Sequence, residues 1–401
     1  MDYSDKPTFI SLFSGCGGFD AGFEASGFKC LGAFDNEPAV LEVYQKNLSG
    51  PTYLHDLSKH SLPVDIKSID VLLAGSPCQG FSTAGQRELE DPRNSLLLVT
   101  GTIAQLASPK VIVCENVMGS IAGKHKIYWE ELEKVLRRLG YNLNIAKFQA
   151  SDFGLAQMRK RVFLFAWKGG TDIEFAFETQ AKKTLRDALK GVSGLPSQEL
   201  FVDVKDSKTL NLVKRINQGQ KLCNVRGGNN SVHTWEVPEV FGEVSEVEKQ
   251  VLYSIKKLRR AIRLRKNGDA DPVCLKDIER HLAFPVEEIV EILISKGYIR
   301  KVGLRYDLKH SYNGLYRRLA WDKHSMTVDT RFGNPRFFLH PDEHRGFSVR
   351  EAARIQGFSD DFVFSGSMTE QFKMIGNAVP PPMAKAIADN IKSQWFRNEP
   401  N

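Results

Sequence analysis

Long apolar runs are missing from this chain of 401 residues, and no window approaches 18 consecutive apolar positions, which excludes a helical membrane span. The opening Met1-Asp2-Tyr3-Ser4-Asp5-Lys6 lacks the basic and apolar regions of a secretory leader, so a cytoplasmic location is expected. Cysteine is scarce: the six residues, at 16, 30, 78, 114, 223 and 274, have neither paired metal-ligand spacing nor the density of a secreted scaffold. They are expected to be reduced thiols, no metal is expected, and each is open to chemistry. Internal repeats and low-complexity tracts are also missing, which excludes solenoids and long disordered arms. What remains is 42% hydrophobic and 26% charged, enough for two domains with sizeable cores. A net charge of +7 and a pI near 8.9 favour a polyanionic partner without deciding one.

Short apolar runs at 8–13, 29–34, 71–74, 111–114 and 162–167 alternate with amphipathic stretches such as 37–47 and 129–139. That rhythm predicts an α/β fold, a doubly wound and mostly parallel sheet with helices on both faces. After Gly169-Gly170 the alternation stops, turns multiply, and Gly227-Gly228-Asn229-Asn230 reads as a loop. Helical periodicity returns at 349–355 and 381–391. The expected organisation is a first domain over 1–168, a second over 169–346, and a segment 347–401 that rejoins the first.

Three motifs follow strands. The first run leads into Phe13-Ser14-Gly15-Cys16-Gly17-Gly18-Phe19 and then a helical pattern, so the backbone can turn tightly and approach a ligand. Asp35 closes the next strand, where a carboxylate either accepts hydrogen bonds from ribose hydroxyls or, with Asn36, caps the following helix. Beyond 71–74 comes Gly75-Ser76-Pro77-Cys78-Gln79-Gly80-Phe81-Ser82, which puts Cys78 past the carboxyl end of a strand, the edge at which open sheets present their sites. Cys78 is either a nucleophile, needing cations nearby to favour its thiolate, or a small buried residue. The other five cysteines are read as structural. Glu115 follows the run 111–114 and can hydrogen-bond a ring nitrogen, while Arg159 and Arg161, two apart on an extended segment, are expected to face one way. Singly, such a Glu or basic pair is more often a solvated strand edge.

The ordered set of motifs resembles the carbon-5 cytosine-specific DNA methyltransferases of bacterial restriction-modification systems. It comprises Phe13 to Phe19, Asp35, Asp56, Gly75 to Ser82, Glu115-Asn116-Val117, Gln157 to Arg161, Arg350 to Phe358, and Ile375-Gly376-Asn377-Ala378-Val379-Pro380. The resemblance covers about 8–167 and 345–392. It implies a Rossmann-like methyltransferase domain joined to a smaller target-recognition domain. It implies S-adenosyl-L-methionine as cofactor, leaving as S-adenosyl-L-homocysteine and held by Phe13, Gly15, Gly17, Gly18, Asp35, Asn36, Asp56, Leu57, Pro77, Asn377 and Val379. It makes Cys78 the nucleophile, Glu115 the group engaging the cytosine ring, Arg159 and Arg161 their supports, and Gln79, Ser82 and Thr327 contacts to DNA. Double-stranded DNA is the implied partner, whether a separately acting restriction endonuclease accompanies it stays open, and a nucleoid-associated monomer is expected.

Within 169–346 the resemblance gives little residue-level guidance, and Thr327 lies in a segment where His324 and Met326 stand in place of common prolines. Residues 256–266 read as a basic amphipathic helix, so Arg259, Arg260 and Arg263 are candidate phosphate contacts, or else a solvated face. The segments 273–282, 285–296 and 298–306 read as helix, helix and wing, a winged-helix insert spanning 247–308. Two other functions stay open: methylation of cytosine in transfer RNA on the same fold, and a catalytically silent DNA-binding regulator.

Overall fold

The computed structural model describes residues 6–66, 68–77, 95–169, 175, 177–226, 228–265 and 270–396. The chain divides into two compact units. The first comprises Met1–Leu200, Asp322–Arg331 and Ser348–Asn401, and the second Phe201–Trp321 and Phe332–Phe347.

Seven strands build the first unit's sheet: β1 (Thr8–Leu12), β2 (Lys29–Asp35), β3 (Thr52–Leu54), β4 (Val71–Ala74), β5 (Val111–Val117), β6 (Asn142–Gln149) and β7 (Lys160–Trp167). Their order is β3-β2-β1-β4-β5-β7-β6. The first five run parallel, and β7 enters antiparallel to both β5 and β6. The mostly parallel doubly wound sheet is therefore observed, with a reversed strand near one edge.

Two-residue alternation sorts side chains to the two faces. Phe9, Val71 and Val113 pack on one side with Phe19 and Phe23 of α1 (Gly18–Ala25), Tyr44 of α2 (Pro38–Asn47), and Met383, Ile387 and Ile391 of the last helix, Pro381–Trp395. Ile10, Leu72 and Ile112 pack on the other with Leu97 and Ile103 of α3 (Leu96–Ala107) and Trp129, Leu132 and Leu136 of α4 (Lys126–Arg138). Gly22 lets α1 press on the last helix: a Cβ there would sit 2.4 Å from the Lys385 backbone nitrogen.

The second unit holds a three-stranded sheet of Lys221–Cys223, Ser231–Val232 and Asn313–Leu315. Around another core pack the helices Glu246–Ala261, Leu275–Leu282 and Glu287–Ser295 and an antiparallel ribbon, Ile299–Val302 with Arg305–Leu308. The basic helix expected over 256–266 is corrected here. The helix starts ten residues earlier, capped by Ser245 and Glu248, and ends at Ala261, so Arg263 lies beyond it and Lys266 lies outside the described residues. None of the described helices is long and apolar enough to cross a membrane.

Candidate active site

At the carboxyl edge of β1, β2, β4 and β5 the first unit encloses a cavity of about 390 Å³, within the range typical of small-molecule sites. The turn after β1 forms one wall. Phe13 (φ 56°), Gly15 (φ 54°) and Gly17 (φ 88°) all take left-handed backbone, tightening the path from strand to helix. Among the described residues nothing lies within 4 Å of where a Gly15 Cβ would point, so the backbone there is open to the cavity. Gly17 does not line the cavity; it faces Leu48 and Tyr44, and its part is to let the turn close.

Asp35, at the end of β2, accepts Gly15 N–H on Oδ2 at 2.9 Å and Glu37 N–H on Oδ1 at 3.0 Å. Burial raises its pKa, opposed by these N–H donors. Oδ2 thus braces the glycine turn and Oδ1 the chain entering α2. Two residues on, Glu37 also lines the cavity, its carboxylate held by Lys373 Nζ at 2.8 Å on each oxygen. Neither Glu37 nor Lys373 stands out in the motif pattern. The signal for Glu37 lay in its position just before Pro38, which starts a helix with its first turn at the strand edge. Asn36, the exposed Asp56, buried Leu57, Pro77, Asn377, Val379 and Gly18 also line the cavity.

Glu115 and Arg161 form a second ion pair at the cavity. Both line the cavity, and Arg161 Nε lies 2.7 Å from Glu115 Oε1 with both side chains nearly buried. The antiparallel register pairs Val117 with Arg161, which makes Glu115 and Arg161 diagonal neighbours on one face. Asn116, fully buried, donates through Nδ2 to Ser76 Oγ at 3.1 Å and so ties β5 to the loop leaving β4. Pro77 is the last described residue of that loop; Cys78, Gln79 and Ser82 lie outside the described residues.

The expectation that Arg159 and Arg161 face one way is corrected, because the strand begins only at Lys160. Arg159 is completely buried and donates to the carbonyls of Val328, Gly376 and Ala378 at 2.9 to 3.1 Å. It locks together three stretches of backbone behind the cavity instead of lining it. Thr327 sits beside that lock in the first unit, its Oγ1 3.5 Å from Met158 O. Arg259 is corrected as a phosphate contact: it is buried against Asp307. Arg260 and Arg263 are exposed.

Four of the cysteines read as structural, Cys16, Cys30, Cys114 and Cys223, are buried. Burial pushes the thiols of Cys16, Cys30 and Cys114 up to about 12, which keeps them protonated and unreactive. Beneath the glycine turn lies a completely buried acid, Asp20, accepting from Ser11 Oγ at 2.8 Å and Tyr44 O–H at 2.9 Å. Desolvation raises it to about 7. Ser14 Oγ is buried on the cavity wall with no hydrogen-bond partner among the described residues. An orphaned hydroxyl, an open glycine turn and a paired carboxylate suit a nucleoside ligand with a polar tail.

Two relatives align along nearly their whole length. Type II methyltransferase M.NgoBV of Neisseria gonorrhoeae is 29% identical, over 96% of this chain and 98% of its own. Type II methyltransferase M.HgiBI of Herpetosiphon aurantiacus is 29% identical, over 96% of each. The solved structure of the Entamoeba histolytica methyltransferase EhMeth shares the fold, with a TM-score of 0.54 at 13% identity over 97% of this chain and 99% of that one. The family model for C-5 cytosine-specific DNA methylases matches residues 7–393, and the chain belongs to that family.

Proposed function

We propose that the cavity binds S-adenosyl-L-methionine and that the enzyme methylates carbon 5 of a cytosine turned out of duplex DNA, within a restriction-modification system. The observation that carries this reading is that one cavity is lined by a nucleoside-type wall, by the Glu115–Arg161 pair and by the start of the loop that leads to Cys78. Glu37, which lines the cavity paired with a side chain, Lys373, where Asp35 is engaged with backbone, is a second ribose acceptor beside Asp35. When bound, the cofactor supplies an electrophilic methyl group.

Carbon 5 of cytosine is a weak nucleophile, so electrons must be pushed toward it. Addition of the Cys78 thiolate to carbon 6 forms a carbon–sulfur bond, while Glu115 engages the ring nitrogen and the charge that develops there. Arg161 holds the Glu115 carboxyl in place for that contact. After carbon 5 takes the methyl group, loss of its proton to solvent returns an electron pair that expels the thiolate. Turning the base out of the stack costs a few kcal/mol, roughly, and isolates it from water. Arg159 positions the site by fixing its backbone. The second unit, 201–321 with 332–347, is assigned to target recognition, with its helices and ribbon over 246–308 as a winged-helix insert.

The test is incubation with tritiated S-adenosyl-L-methionine and genomic DNA from a host without cytosine methylation, alongside Cys78→Ala. Label in 5-methylcytosine for the wild type alone is expected, and bisulfite sequencing then gives the target. Transfer to transfer RNA instead of DNA, or cofactor binding without transfer to either, would overturn it in favour of the RNA enzyme or the silent regulator.

A further inference from the structure

The ribbon of the second unit ends in a two-residue turn, Gly303-Leu304, with Gly303 in left-handed backbone (φ 61°). Leu304 is 91% exposed, more than any other large hydrophobic residue among those described, and Val302 behind it is 42% exposed. Apolar side chains at an isolated tip contribute nothing to the core. The flanks are basic: Arg300, Lys301 and Lys309 are exposed, and Arg305 is half-buried. The ribbon's one acid, Asp307, is buried and paired with Arg259 and Arg300. By contrast the helix Glu287–Ser295 exposes Glu287, Glu288 and Glu291, so a polyanion would avoid that helix and meet the ribbon.

We propose that this ribbon is a wedge for the minor groove of DNA flanking the methylated site, with Leu304 against a base step and Lys301 against a neighbouring phosphate. A ribbon lying flat fills a major groove, whereas a single apolar residue with cations behind it suits the narrow groove, where such wedges unstack a step and bend the duplex. The inference rests on the reading that the enzyme acts on duplex DNA.

Leu304→Ser and Lys301→Glu alter exposed positions and leave the fold intact, which circular dichroism checks. Affinity is measured on duplexes carrying the bisulfite-mapped target with flanks lengthened stepwise, and 2-aminopurine in the flank reports unstacking. Wild type should gain affinity and fluorescence once the flank reaches the ribbon. Leu304→Ser should lose about tenfold on long duplexes and nothing on short ones, with no fluorescence rise. Lys301→Glu should flatten the slope of log K against log salt by about one. Variants matching wild type at every length, or losing equally on short and long duplexes, would overturn the wedge. Methyl transfer by wild type on the same duplexes reports separately on the reading beneath: transfer with unchanged flank dependence sinks the wedge alone, and no transfer to any duplex sinks both.

Discussion

Charged side chains that meet at the first unit's cavity serve a different end from those buried in the second. In the first, Glu115, Arg161, Glu37 and Lys373 meet at a cavity, each pair keeping one edge toward it. In the second, the most buried cations are braces. Arg318 donates to the carbonyls of Val213, Ile216, His340 and Glu343, and Arg259 is closed on Asp307. Residue type and local charge look the same in both places. What separates chemistry from bracing is whether the group has space in front of it.

The sharpest way to test that contrast is at the cavity. Glu115→Gln should lower kcat by on the order of 10²–10⁴ with cofactor affinity nearly unchanged, read by label transfer beside calorimetric binding; equal rates would make Glu115 a brace. Next in size, Arg259→Ala should cost up to about 3 kcal/mol in denaturant unfolding because buried Asp307 keeps only its contact with the exposed Arg300. A stable variant with weakened DNA binding would instead return Arg259 to the interface. Asp20 gives a pH-dependent test. Its pKa rises on folding from 3.8 to about 7. Its stabilisation is therefore complete below about pH 4 and lost as pH rises toward 7, because the unfolded chain ionises first. Relative to wild type, Asp20→Asn should gain a few kcal/mol, roughly, between those limits, and a flat difference would place the charge elsewhere. Gly22→Ala, which drives a Cβ into backbone of the last helix, should cost about 1–3 kcal/mol. At the bottom of the scale, exposed Arg260→Ala should stay within about 0.5 kcal/mol in stability; a larger loss would reveal a bracing role there too.

Five of the seven strands were legible because each is a short apolar run bounded by turns. The other two were not, for different reasons. Thr52–Leu54 is three residues long, and Asn142–Gln149 is an edge strand whose polar residues face solvent and mask its period. The helix Leu96–Ala107 is apolar on most sides, so it has no polar stripe to betray it. At the site, motif order told which residues gather but not which way they point. Arg159 and Arg161 are two apart, yet the strand starts between them, so alternation could not be applied to both. Asp35 and Glu37 are likewise neighbours in sequence, and only the Gly15 and Glu37 amides show that Asp35 is occupied by backbone.

Arg159 also has a consequence for the order in which the protein is made. Its guanidinium closes on carbonyls 169, 217 and 219 positions further along the chain. At ribosomal rates of about 5–20 residues per second, roughly ten to forty seconds separate its synthesis from that of Gly376 and Ala378. All seven strands are made by Trp167, but the lock behind the cavity waits for Ala378, and one face of the sheet waits for the helix Pro381–Trp395. A growing chain would therefore hold every strand well before it holds a working enzyme, and no ribosome-bound intermediate short of the final helix would be able to mark DNA.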